Sequence, residues 1–248
     1  MDFRAALLEQ TRAFGELIRS ADPATPVPTC GEWTLKDLFR HVGRGNRWAA
    51  QIVIEHRNQP LDPRDVHDGK PPDDVDAAID WLNRGAELMV DAVNRVGADA
   101  RVWTFLGPRP AGWWIRRRLH EATVHRADAA LALGVEYELS PELAGDALSE
   151  WLERVCYDKR HPVALDPGQS IHLHATEEKL GPTGEWTIVH DDDGVWWSHS
   201  HSKGSVALRG PVTELLLATV RRKTAAEAGL EVFGDTAVWD AWLNSTPY

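Results

Sequence analysis

Residues 113–134, WWIRRRLHEATVHRADAALALG, are the most informative stretch of this 248-residue chain. Apolar side chains recur at Ile115, Leu119, Ala122, Val124, Ala129, Ala130 and Leu133, and no Pro or Gly interrupts them before Gly134. The pattern predicts a helix closed by a glycine C-cap. At 3.6 residues per turn, Glu121 and His125 fall on one face, so a carboxylate and an imidazole point the same way and can share a cation. The same spacing also describes a solvated Glu–His pair on an Arg-rich face, an attraction of only about 0.2–0.5 kcal/mol. His120 does not complete a metalloprotease motif, because HExxxH is not HExxH. A third ligand is needed, and it has to come from elsewhere in the chain.

Three further helices precede this one. Phe3, Ala6, Leu7, Thr11, Phe14, Leu17 and Ile18 keep helical spacing and predict an amphipathic helix ending near Ser20. After the Pro-rich connector DPATPVPTCGEW (22–33), Thr34 with Asp37 three residues on reads as the capping start of a helix over residues 35–56. On that helix Leu38, His41, Gly45 and Trp48 share a face, which turns His41 toward packed neighbours as either a ligand or a hydrogen-bonded core histidine. RNQPLDPRDVHDGKPPDD (57–74) is a loop by its Pro, Asp and Gly content. Val75 to Val96 carries a buried stripe of Ile79, Leu82, Ala86, Met89 and Val93, and Gly97 to Pro110 reads as a connector. Four helices joined by loops predict an up-down bundle, an architecture that holds metals in its core.

Pro141 to Tyr157 is a further helix leading out of the bundle, and beyond it the periodicity changes. Ser170–Thr176, Trp186–His190, Gly194–Ser200 and Ser205–Arg209 read as strands, with the DDDG turn (191–194) between the second and third. Helices are expected over 211–222 and 236–243, with a short segment at 230–233 between them. The fold class is therefore α+β: a helical bundle over 1–158, then a small α+β domain over 159–248 with an antiparallel or mixed sheet, the boundary falling near residue 160.

Composition narrows the function. A formal net charge of -11 argues against nucleic acid or an anionic membrane surface as partner. Only Cys30 and Cys156 are present, far apart and without a CxxC, so a disulfide framework or thiolate cluster is not expected and any thiol chemistry would use an external thiol. The first 18 residues are charged every few positions, unlike a signal peptide or membrane span, and the expected location is cytoplasmic. Twelve tryptophans are a heavy load, and core packing accounts for most of them. A monomer or small homo-oligomer is expected.

His41, Glu121 and His125 together would supply two imidazole nitrogens and one carboxylate oxygen, the donor set of a catalytic zinc site with a position left open. The segments WTLKDLFRHV (33–42) and HEATVHRAD (120–128), followed in order by VALRGPVTELLL (206–217), resemble the mycothiol-dependent maleylpyruvate isomerase family. The resemblance spans almost the whole chain. It implies a DinB-like metal-binding bundle with a sterol-carrier-like α+β domain, and His41, Glu121 and His125 as ligands of a divalent metal, usually zinc. Arg126 and Asp128 match the family pattern too and read as supporting residues, with Asp128 able to orient a neighbour. The family commonly has a Gly-Arg pair after the LLL run, its Arg reaching toward the substrate carboxylates. Here Arg222 is the counterpart and Arg221 replaces the Gly, and a solvated cationic helix end is the competing account of Arg221-Arg222-Lys223.

The activity that the resemblance implies is attack by mycothiol sulfur on a small electrophile: addition to a maleyl double bond, rotation, then elimination to the trans isomer. A mycothiol S-transferase would keep the adduct as product, and a metal- or ligand-binding module would turn nothing over. Arg116, Arg117 and Arg118 read as a solvent-facing stripe for at least two of the three, or as contacts for the thiol. Trp113 and Trp114 are core by default, with cleft lining as the alternative.

Overall fold

In the computed structural model, residues 1–158 and 162–246 are described, and they form two compact units, Met1–Tyr137 and Glu138–Tyr248. The expected boundary between 158 and 159, near residue 160, abuts residues 159–161, which lie outside the described residues. The division between the compact units comes earlier, between Tyr137 and Glu138, because the helix Pro141–Tyr157 packs with the later elements.

The first unit holds α1 (Phe3–Ile18), α2 (Leu35–Ile54), α3 (Val75–Val96) and α4 (Gly112–Leu133). Local chemistry sets their ends. Asp2 accepts from the Arg4 and Ala5 amides at the start of α1. Thr34 and Asp37 form a full capping box on α2, each side chain accepting from the other's backbone N–H. Gly134 ends α4 in the left-handed region (φ 65°, ψ 30°), and the next amide bonds back to Ala130.

A simple up-down ring would set α1 beside α2. Instead α1 packs on α4 and α3, and α2 packs on α3 and α4, so the order round the bundle is α1–α3–α2–α4. The connectors that cross the bundle, 19–34 between α1 and α2 and 97–111 between α3 and α4, supply the chain length that this arrangement requires. Phe14, Leu35, Leu38, Phe39, Val42, Ile79, Trp81, Leu82, Ala122 and Ala129 share one apolar cluster drawn from all four helices. Gly43 lets α2 meet Trp81 of α3, since a Cβ there would lie 2.1 Å from the indole ring. The connector 97–110 contains two short strands, β1 (Arg101–Val102) and β2 (Arg109–Pro110), paired antiparallel. At two residues each, they are too short for alternation to signal. Trp114 is fully buried, donates to the Trp103 carbonyl at 3.0 Å and packs against Trp48, Trp103 and Phe105. It belongs to the core.

The second unit contains α5 (Pro141–Tyr157), β3 (Ser170–Ala175), β4 (Glu185–Asp191), β5 (Gly194–Ser198), β6 (Val206–Gly210), α6 (Val212–Thr219), β7 (Glu231–Gly234) and α7 (Thr236–Ser245). Its sheet runs β5-β4-β3-β6-β7, with β3 and β6 parallel and the other neighbours antiparallel. The segment at 230–233 thus becomes the fifth strand of a mixed sheet. Trp186, fully buried, donates through Nε1 to Ser149 Oγ of α5 at 2.9 Å. The helix expected to reach residue 222 stops at Thr219, where Arg221 turns into the left-handed region (φ 59°).

Candidate metal centre

The bundle order makes α2 and α4 neighbours, and across that contact three side chains meet. His41 Nε2 lies 2.9 Å from Glu121 Oε1, and His125 Nε2 lies 3.5 Å from the same oxygen. One donor atom from each of the three residues falls within 4.8 Å of the others. His125 is buried, whereas the His41 side chain is 37 % exposed, so the cluster has a closed inner wall and an open outer edge. Trp33 stands beside both imidazoles, its ring centroid 4.9 Å from His41 and 6.4 Å from His125.

The arrangement suits a cation. His125 Nδ1 is 2.8 Å from Oδ2 of fully buried Asp128, which accepts the Nδ1 proton and leaves the Nε2 lone pair of neutral His125 facing Glu121. Asp128 also accepts from Thr29 Oγ1 at 2.6 Å and Cys30 Sγ at 3.4 Å, and so is held from the connector as well as from its own helix. An imidazole lone pair 3.5 Å from a carboxylate oxygen is repulsive until a proton or a metal ion stands between them.

The electrostatics keep the donors deprotonated. Burial pushes the Glu121 carboxyl upward, but Arg117, the His41 hydrogen bond and Arg118 outweigh it and hold the group well below the usual carboxylate range. Arg117 reaches Glu121 Oε2 at 2.7 Å, and Arg118 lies 3.7 Å from Oε1. Burial is also the leading cause that lowers His41, against the opposing pull of Glu121, so its imidazole stays neutral to lower pH than a free one.

Two expectations change. Arg117 and Arg118 are 3 % and 5 % exposed, so they are not a solvent-facing stripe. They lie four and three residues before Glu121, and that spacing is the sequence signal that connects them to it. Arg118 crosses α2 where Gly45 leaves room, a Cβ there lying 2.3 Å from the guanidinium, and it donates to Asn46 and the Val42 carbonyl. Second, Arg222 is not part of a solvated run. It is 9 % exposed and donates to the Val220 carbonyl at 2.9 Å, while Arg221 is exposed and Lys223 pairs with Glu214. Arg222 belongs to the second unit and His41, Glu121 and His125 to the first. Arg126, the other family-matched position, donates to Gln10 on α1 and lies over the Tyr137 ring, a packing role. Thr29, Cys30 and Trp33 come from the 22–33 connector, whose irregular composition gave no periodic signal.

Residues 4–130 match the family model described as the mycothiol maleylpyruvate isomerase N-terminal domain, and residues 142–241 match the C-terminal domain model of the same family. The chain belongs to the mycothiol-dependent maleylpyruvate isomerase family. Two solved structures share its fold: a histidine-to-alanine mutant of a mycothiol-dependent maleylpyruvate isomerase (TM-score 0.58) and that isomerase itself (TM-score 0.54). Each is 13 % identical and covers 87 % of this chain and 86 % of its own. Among curated proteins, the uncharacterized proteins MT0763 and Rv0738 of two Mycobacterium tuberculosis strains are 31 % identical over 136 residues. That match spans 53 % of this chain and 66 % of the relatives' own length. No helix among the described residues is long and apolar enough to cross a membrane.

Proposed function

We propose that this chain is a metal-dependent enzyme that uses mycothiol to act on a small electrophile, in the manner of maleylpyruvate cis–trans isomerisation. The observation that carries the proposal is the convergence of His41, Glu121 and His125 on one point, with Asp128 fixing the His125 tautomer. Two imidazoles and a carboxylate suit zinc or a neighbouring divalent ion. Such an ion, when bound, supplies the positive charge that favours thiolate over thiol.

The chain's own residues prepare that chemistry. Arg117 and Arg118 keep Glu121 ionised, Asp128 aims His125, and Trp33 walls one side while the exposed edge of His41 leaves the other accessible. The proposed thiol is mycothiol's own; burial pushes Cys156 up to about 12, so at neutral pH that side chain is not a competing nucleophile. Arg222 is the proposed cation for the substrate's carboxylates, its planar fork suited to bidentate binding. Arg222→Lys and Arg222→Ala should raise KM for a dicarboxylate more than for its monoester, and equal effects on both would remove that role.

The testing experiment is metal content of the purified chain by elemental analysis, then mycothiol binding with and without a chelator. Chelator-sensitive thiol binding that His41→Ala, Glu121→Gln and His125→Ala each abolish supports the proposal. Metal content unchanged from the unaltered chain in any of these variants removes that residue from the ligand set. If mycothiol binds, free thiol assayed after turnover distinguishes isomerisation, which returns the sulfur, from S-transfer, which keeps it.

A further inference from the structure

We propose that the second unit carries a separate site for a late first-row divalent cation, made by His172, Glu185 and His201 with His174 alongside, which fastens the segment after β5 onto the sheet. The sequence contains two His-x-His pairs, His172-Leu173-His174 and His199-Ser200-His201. In a strand, residues two apart share a face. In the β3–β4 register His172 faces Thr187 and His174 faces Glu185, so these four side chains emerge on one side of the sheet. The alternate residues Ile171, Leu173, Trp186 and Ile188 are fully buried on the other.

The chain after β5 folds back over the histidine side. Thr187 Oγ1 donates to the Ser200 carbonyl at 2.7 Å, and His199 Nδ1 donates to the Glu185 carbonyl at 2.9 Å. Gly204 permits the close return, since a Cβ there would lie 3.0 Å from the His172 amide. His201 is thereby set over Glu185. One carboxylate oxygen, Glu185 Oε2, lies 3.0 Å from His172 Nε2 and 2.6 Å from His201 Nδ1, and the three donors fall within 4.8 Å of one another. The ring centroids of His172 and His201 are 5.1 Å apart, with His174 5.9 Å from the first and 6.1 Å from the second.

This is the donor set of the first site, reached on a sheet instead of a bundle. His172 is 5 % exposed and the His201 side chain 73 % exposed, so the cluster has a buried base and an open mouth through which an ion can enter. Two imidazoles and one carboxylate, with a further imidazole alongside, select zinc, copper or nickel over calcium and magnesium, which prefer oxygen donors. No residue is shared with His41, Glu121 or His125.

The test is zinc binding by equilibrium dialysis of the chelator-stripped 248-residue chain. Five proteins are compared: the unaltered chain, His201→Ala, Glu185→Gln, the double variant His41→Ala/His125→Ala, and that double variant with His201→Ala added. His201 is exposed, so its removal leaves the sheet core intact. The expected result is loss of one zinc equivalent in His201→Ala and in Glu185→Gln, while the double variant keeps one equivalent that His201→Ala then removes. Limited proteolysis should also cut residues 199–204 faster without zinc than with it. Zinc content unchanged by both His201→Ala and Glu185→Gln, or no zinc in the double variant, would overturn the proposal. A double variant that binds as much zinc as the unaltered chain tells against the first site alone.

Discussion

His125 Nδ1 and the fully buried Asp128 carboxylate are joined by a 2.8 Å hydrogen bond three residues apart on one helix. That bond turns the other ring nitrogen toward Glu121 and makes the imidazole a better donor.

Asp128→Asn should weaken metal binding by about 10- to 100-fold, the usual cost of losing such an orienting carboxylate. Competition against a chromophoric chelator measures it. Unchanged affinity would mean that the His125 tautomer is set by something other than Asp128.

The metal-free chain should lose stability in acid in two stages. His41 in the folded state titrates below the usual imidazole value of 6.5, so below about pH 6.5 the unfolded chain binds more protons and stability falls as pH falls. Glu121, held well below 4.5, adds a second loss at still lower pH, where the unfolded carboxyl protonates before the folded one. Urea midpoints across pH 2 to 8 should show both slopes, and His41→Phe should flatten the upper one.

Gly43→Ala should destabilise the first unit by about 2 kcal/mol, the cost of overpacking a tight helix contact. The added methyl would meet the Trp81 ring, which cannot retreat easily: its Nε1 donates to the Asp68 carbonyl and Arg47 lies 4.2 Å from its ring centre. A chemical denaturation curve is the check, and a change under 0.5 kcal/mol would show that the helices slide apart freely.

Arg221→Gly should stabilise the second unit by about 1 kcal/mol, because a left-handed conformation strains any residue with a Cβ. Arg221 is exposed and its neighbours' amides already close the helix end, so the gain is in backbone strain. A lower thermal midpoint for the glycine variant would assign the arginine side chain a stabilising contact.

Helical periodicity made the ligand faces legible: it placed His41 on one inward face and Glu121 with His125 on another before any tertiary information. It could not make α2 and α4 neighbours, since the α1–α3–α2–α4 order is a property of packing and connector length. Nor could it tell that Arg117 and Arg118 are buried, because an arginine run looks the same whether it meets water or a carboxylate. Four of the five strands of the second unit were legible from alternation; β7, at four residues, read only as a short segment, and β1 and β2 are too short to alternate. The cluster on β3 and β4 needed the sheet register and the return of residues 199–204.

The helix order has a consequence for how the site comes into being. His41 and Glu121 are 80 residues apart, and their meeting requires α3, with both flanking connectors, to be threaded between them in the chain. Closing that loop is entropically costly and must be repaid by packing of the whole bundle. A nascent or truncated chain that stops short of α4 therefore has one imidazole in place of three donors. Competence to hold a metal arrives all at once, with the last helix.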